Sequence, residues 1–183
     1  MLNDVEKVII DPGTISNRVA ALAGEISRDF SGKDVILIGV LKGSMFFIAD
    51  LLRKISIPVI LDFIGTSSYG TATTTSGAVK ITKDLEENIE GLHVIIVEDI
   101  VDTGLTLNFL INALNIRKPA SISICTLLDK NANRQVNIPI RYRGFPVEDS
   151  FVVGYGLDFR DQYRHLPFVC TLKNEIHERQ REK

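Results

Sequence analysis

The sequence predicts an α/β fold, a mainly parallel central sheet flanked by helices, and three observations carry that expectation. Short, continuous runs of Val, Ile and Leu recur along the 183 residues, amphipathic stretches at helical spacing alternate with them, and the turns that break the pattern stand at the carboxyl ends of the runs. A strand buried on both faces has no polar side, so it reads as an unbroken apolar run, and a helix after each one covers the sheet. Ligands of such sheets gather outside the carboxyl ends of the strands, which places a site at the turns of Lys42, Glu98 and Asp129.

The elements follow in order. "TISNRVAALAGEISRDF" sets Ile15, Val19, Leu22, Ile26 and Phe30 at helical spacing after a break at Pro12 and Gly13. "DVILIGVL" (34–41) is a strand closed by "KGS", and "SMFFIADLLRK" continues as a helix. "IPVILDFIG" is a second strand. "YGTATTTSGAVK" (69–80) is too polar to pack and too long for a simple hairpin; it is either a solvated loop between two β segments or a lid that keeps water from a reactive intermediate. "LHVIIVEDI" (92–100) is a third strand, and the stripe Leu107, Leu110, Ile111, Leu114 marks a helix that "IRKPAS" ends. "SISICTLLD" is a fourth strand, and the charge-rich "NEIHERQREK" reads as a frayed helical end.

This length suits one main domain with an ample core. With 21 basic and 23 acidic residues, net charge −2, nothing global points to nucleic acid or to an anionic membrane. Cys125 and Cys170, each in an apolar stretch and distant in sequence, read as buried free thiols of a reducing compartment. "MLNDVEKVIIDPG" lacks a basic segment followed by a long apolar one, and no run approaches the ~18 apolar residues of a membrane span, so a cytoplasmic protein is expected.

The stretch richest in chemistry is "VIIVEDIVDTGLT" (94–106). An apolar strand leads straight into three mutually repelling carboxylates, Glu98, Asp99 and Asp102, and then into Thr103, Gly104, Leu105 and Thr106, which open a helix. Backbone N–H groups and hydroxyls at a helix start can wrap a phosphate monoester, helped by the positive end of the helix dipole. Carboxylates just ahead of it suit sugar hydroxyls or a hard cation instead. Together they match a ribose 5-phosphate. A Walker A loop is absent and no G-x-G-x-x-G follows a strand, which weighs against a nucleoside triphosphatase and a dinucleotide enzyme.

"VIIVEDIVDTGLT" resembles the phosphoribosyl-pyrophosphate (PRPP) signature of the type I phosphoribosyltransferases. "GVLKGS" (39–44), "SSYG" (67–70), "LLDKNANR" (127–134) and "FVVGYGLDFRDQYR" (151–164) are similar to motifs of the hypoxanthine-guanine branch, in the right order between Val35 and Val169. The resemblance implies the type I phosphoribosyltransferase fold, with a core over about 14–153 and a small hood from about 1–13 and 154–183. It implies that Glu98 and Asp99 hold the PRPP ribose and Mg²⁺, that Asp158 coordinates a second Mg²⁺, and that the segment from Asp102 through Thr103, Gly104 and Leu105 to Thr106 binds the 5′-phosphate. Leu41, Lys42 and Gly43 correspond to the pyrophosphate loop, whose Leu41–Lys42 peptide is expected to be able to adopt the cis form, and Arg164 to the arginine on the departing pyrophosphate. Lys130 matches the lysine on the purine 6-oxygen; an ammonium only donates, so it favours a 6-oxo over a 6-amino purine. Phe151 matches the ring that stacks on the purine, Val152 the residue whose carbonyl reads its pyrimidine edge, and Ser68 with Tyr69 the lid pair. Asp102 matches the general base, since a purine attacking through N9 becomes electron-poor unless N7 loses its proton. Without the resemblance a helix cap is the competing reading of Asp102, and Lys42 and Arg164 read as turn and surface residues.

The implied reaction is Mg²⁺-dependent transfer of the 5-phosphoribosyl group from PRPP to hypoxanthine or guanine, giving IMP or GMP and pyrophosphate, by a homodimer or homotetramer. Two alternatives stay open: a xanthine-preferring enzyme, and a non-catalytic PRPP-sensing regulator on the same fold. The retained Asp102 and slightly acidic balance speak against the regulator.

Overall fold

A computed structural model describes residues 2–68 and 79–178. After a short 3-10 turn, the elements run β1 (Val5–Ile10), α1 (Pro12–Asp29), β2 (Val35–Leu41), α2 (Met45–Leu52), β3 (Ile60–Ser68), β4 (Val79–Lys83), β5 (His93–Val101), α3 (Leu105–Asn115), β6 (Ser121–Lys130), β7 (Tyr142–Val147), β8 (Val169–Leu172) and α4 (Asn174–Glu178).

Six strands form one sheet in the order β4-β3-β2-β5-β6-β7, parallel throughout except for β4, which runs antiparallel to β3 at one edge. The strands without polar alternation, β2, β5 and β6, are its centre. Alternate residues send Leu37, Ile95, Val97, Cys125 and Leu127 into a core shared with Val19, Leu22, Ile26, Phe47 and Leu51 of α1 and α2. Their neighbours Ile36, Ile38, Val94, Ile96 and Ile124 pack on the other face against Leu107, Leu110 and Leu114 of α3. Helices thus cover both faces, which is why the central strands are apolar on both sides. β1 and β8 pair antiparallel in a second, two-stranded sheet, with a small cluster of Val153, Tyr163, Leu166 and Cys170 beside it. Cys125 and Cys170 are buried free thiols, and no helix among the described residues is long and apolar enough to cross a membrane.

Two boundaries differ from the sequence reading. Pro12 and Gly13 form the first turn of α1 rather than a break ahead of it: Asp11 caps the helix by accepting from Thr14 N at 3.0 Å, and a proline at the first helical position forgoes only an N–H that has no partner there. The second expected strand starts at Ile60 rather than Ile57, after Pro58, which lacks the N–H a ladder needs.

Candidate active site

Register brings the motifs together. β2 and β5 are parallel neighbours, Gly39 beside Val97, so the turn after Leu41 and the pair Glu98–Asp99 emerge side by side. The Leu41–Lys42 peptide is cis, as the resemblance led one to expect. Gly43 packs so closely on Asp99 that a Cβ there would lie 1.7 Å from Asp99 Oδ2, so any other residue type would displace the Asp99 carboxylate. Ser44 anchors the turn from behind, its Oγ donating to Val40 O at 2.7 Å.

Across from this turn lies the segment that carries Asp158 and Arg164. Arg164 Nη1 donates to Gly156 O at 2.7 Å, and Nη2 lies 2.7 Å from Asp158 Oδ1 and 3.2 Å from Asp161 Oδ1. Lys42 Nζ reaches the same Asp161 oxygen at 3.0 Å, so one carboxylate bridges the two cations. Between them is a cleft of about 360 Å³, lined among others by Lys42, Gly43, Glu98, Asp99, Asp158 and Arg164.

The carboxylates of the cleft are poorly solvated. Glu98 is buried, its Oε2 has no hydrogen-bond partner, and burial, reinforced by the neighbouring charge of Asp99, pushes its pKa well above the ordinary value. Burial also lifts Asp99 to about 6, against the Ile100 N–H that donates to its Oδ1 at 2.9 Å and the attraction of Arg164. Two adjacent, under-partnered carboxylates fit a hard divalent cation, which would supply the missing charge and occupy the orphaned oxygen. Among the described residues no group of three or more His, Cys, Asp or Glu side chains forms a ready-made cage, so substrate oxygens and waters would complete the coordination, as is usual for Mg²⁺.

Asp102 and Lys130 form a second cluster. β5 and β6 run in parallel with Val101 beside Asp129, which sets the first residue after β5 against the last of β6. Lys130 Nζ lies 3.8 Å from Asp102 Oδ2 and 2.7 Å from Asp149 Oδ1, and the Asp149 bond above all, then the charge of Asp102, raises the lysine pKa. Asp102 Oδ1 is buried without a hydrogen-bond partner. Phe151 is half exposed and meets the Phe159 ring edge-on at 5.6 Å between centroids, while Val152 is buried. Thr103, Gly104, Leu105 and Thr106 follow as the turn and first residues of α3, Gly104 in the left-handed region at φ 83°. Ser68 closes β3; Tyr69 and most of the expected lid lie outside the described residues.

Three charged residues, Asp149, Asp161 and Arg134, were missed in the sequence, and Asp129 was placed at a site turn without a role. Asp149 pins Lys130, Asp161 bridges Lys42 and Arg164, and Arg134 with the buried Asp129 braces the turn of Asp102. Arg134 and Asp129 stand inside "LLDKNANR", a motif that marks the stretch but not the contact between them.

The family model of the phosphoribosyl transferase domain matches residues 11–160. The chain belongs to this family. Within it, the chain is 44% identical over 178 residues to the hypoxanthine-guanine phosphoribosyltransferase of Bacillus subtilis, covering 97% of this chain and 99% of that protein. It is 43% identical to the bifunctional protein TilS/HprT of Listeria monocytogenes, over 97% of this chain but only 27% of that protein, so it spans about a quarter of that relative's length. A crystal structure of a hypoxanthine phosphoribosyltransferase from Staphylococcus aureus superimposes with a TM-score of 0.93 at 42% identity, covering 97% of this chain and 96% of that one. The family membership accounts for the mainly parallel six-stranded sheet.

Proposed function

We propose that this chain is a purine salvage enzyme that transfers the 5-phosphoribosyl group of PRPP to N9 of hypoxanthine or guanine, giving IMP or GMP and pyrophosphate. The observation that carries the reading is the 3.8 Å between Lys130 Nζ and Asp102 Oδ2. N7 and the 6-oxygen of a 6-oxopurine are neighbouring groups on one edge, close enough for a single side chain to span both. A donor for the 6-oxygen and an acceptor for the N7 proton must therefore sit within a few ångströms of each other, as Lys130 and Asp102 do.

In this reading Lys130 orients the base and rejects a 6-amino group, and Asp102 accepts the N7 proton as N9 attacks C1′. Phe151 stacks on the purine and the Val152 carbonyl reads its pyrimidine edge. Thr103, Gly104, Leu105 and Thr106 receive the 5′-phosphate at the start of α3. Leu41, Lys42, Gly43 and Arg164 take the pyrophosphate, Arg164 with its fixed fork of donors. Glu98 and Asp99 hold the ribose hydroxyls and one Mg²⁺, Asp158 a second; bound Mg²⁺ supplies charge neutralisation of the diphosphate leaving group. Ser68 and Tyr69 belong to a lid that keeps water from the oxocarbenium-like centre, and the β1–β8 sheet with the C-terminal segment serves as the hood over the cleft. The working form is a cytoplasmic homodimer or homotetramer, as members of the family generally are.

The test is a panel of hypoxanthine, guanine, xanthine and adenine at equal concentration with PRPP and Mg²⁺, followed by pyrophosphate release. Turnover with hypoxanthine or guanine, and little with adenine, is expected; a dominant rate with xanthine, or none with any purine, would overturn the assignment.

A further inference from the structure

We propose that Arg134 is a positioning residue for the transfer reaction: backed by the buried carboxylate of Asp129, its guanidinium holds the turn after β5 in the one shape that both receives the 5′-phosphate and presents Asp102. The proposal rests on the phosphoribosyl-transfer reading above.

Three successive carbonyls leave the end of β5 and all three are bound by one short segment. Arg134 Nη2 donates to Val101 O at 3.2 Å and Nε to Asp102 O at 2.8 Å. Gln135 N and Val136 N both donate to Thr103 O, at 2.9 and 3.2 Å. In a trans peptide the C=O and the following N–H point in opposite directions. Carbonyls of residues 101 to 103 turned toward 134–136 therefore turn the N–H groups of Asp102, Thr103 and Gly104 away from it, onto the side where the 5′-phosphate is read to bind. Gly104 completes the turn: a Cβ at that residue would come within 2.8 Å of Val136 O.

Asp129 gives Arg134 its aim. Its side chain is fully buried, Oδ1 lies 2.5 Å from Arg134 Nη2, and Arg143 Nε lies 2.7 Å from Oδ2 without the alignment of a hydrogen bond. Arg134 thus serves a carboxylate and two backbone carbonyls at once, which a planar fork of five donors can do and a lysine ammonium cannot do in the same geometry. Asp129 stands next to Lys130 at the end of β6, so the brace and the purine side of the site share one strand end.

The experiment compares wild type with Arg134→Lys, which keeps a charge beside Asp129 but loses the fork. Thermal melts report folding, steady-state kinetics kcat and KM, and calorimetry the affinity for IMP and, separately, for pyrophosphate with Mg²⁺. A misplaced turn should lower kcat by about 10²-fold and weaken IMP at least about tenfold, while pyrophosphate affinity stays within about twofold, because that ligand does not use the turn. A folded variant with kcat and IMP affinity near wild type would overturn the proposal, as would equal losses for IMP and pyrophosphate, which signal a general collapse of the site. Should Arg134→Lys not fold, the double variant Arg134→Met with Asp129→Asn, which leaves no buried charge unpaired, is read by the same criteria. Failure of both to fold would make the pair a structural brace and reject a positioning role. An inactive wild type would instead sink the phosphoribosyl-transfer reading, and this proposal with it.

Discussion

Replacing Asp99 by asparagine should make the ligand-free protein more stable while weakening its hold on PRPP. Burial is the main influence that lifts the Asp99 pKa from 3.8 to about 6, against the Ile100 N–H and Arg164. A folded-state pKa above the unfolded one means that the folded protein holds that proton more tightly, so ionisation of Asp99 costs stability. The cost is absent below pH 3.8, grows as the pH rises toward about 6, and is fully present above that. At about 1.4 kcal/mol for each tenfold in proton affinity it reaches about 3 kcal/mol, an upper value because Asp99 keeps some contact with solvent. Asparagine retains the oxygen that accepts from Ile100 N at 2.9 Å and brings no charge. For a domain of this size each kcal/mol moves Tm by about 2–4 °C, so the variant should melt about 6–12 °C higher near pH 8 without Mg²⁺ and PRPP, a gain that fades toward pH 4. Circular-dichroism melts across that range read the stability, and calorimetry with Mg²⁺ and PRPP reads the binding. An unchanged Tm at pH 8, or a gain that grows as the pH falls, would show that the charge is already compensated in the free protein.

Three further outcomes follow from the same geometry. Asp102→Asn should lower kcat by about 10²–10⁴-fold, the usual contribution of a positioned proton acceptor, with PRPP binding nearly unchanged; single-turnover kinetics beside a PRPP titration separate the two, and unaltered turnover would remove Asp102 from its assigned role. Lys130→Met should cost hypoxanthine about 1.5–3 kcal/mol in kcat/KM, the worth of a hydrogen bond to a charged group, and narrow the gap between 6-oxo and 6-amino purines; an unchanged purine ranking would place base selection elsewhere. Far from the cleft, the fully buried Tyr142 donates its hydroxyl to Asp29 Oδ2 at 2.9 Å. Tyr142→Phe should lower stability by about 1.5–3 kcal/mol in chemical denaturation and leave kcat unchanged; a variant as stable as wild type would mean that the Asp29 carboxylate is satisfied without it.

What could be read in the sequence divides along a physical line. β2, β5 and β6 were legible because strands buried on both faces carry their burial in their own composition, and α1 and α3 because a stripe of apolar side chains at helical spacing is a local property. β1, β7 and β8 were not: each is short, β7 contains Pro146, and the pairing of β1 with β8 joins segments at opposite ends of the described chain. The site divides the same way. Glu98, Asp99 and Asp102 stand out because like charges crowd at a strand end. Asp149, Asp161 and Arg134 do not, because an isolated charge on a loop acquires a role only from a partner that the fold brings to it. Arg134 is the extreme case. Its acceptors at the turn are the carbonyls of Val101 and Asp102, which every sequence possesses, so no pattern of side chains could have announced the contact. The carboxylates of the turn proposed to bind phosphate can be read from residue types, but the orientation of its N–H groups belongs to whatever satisfies the carbonyls behind them, and here that is a guanidinium 32 residues further along the chain.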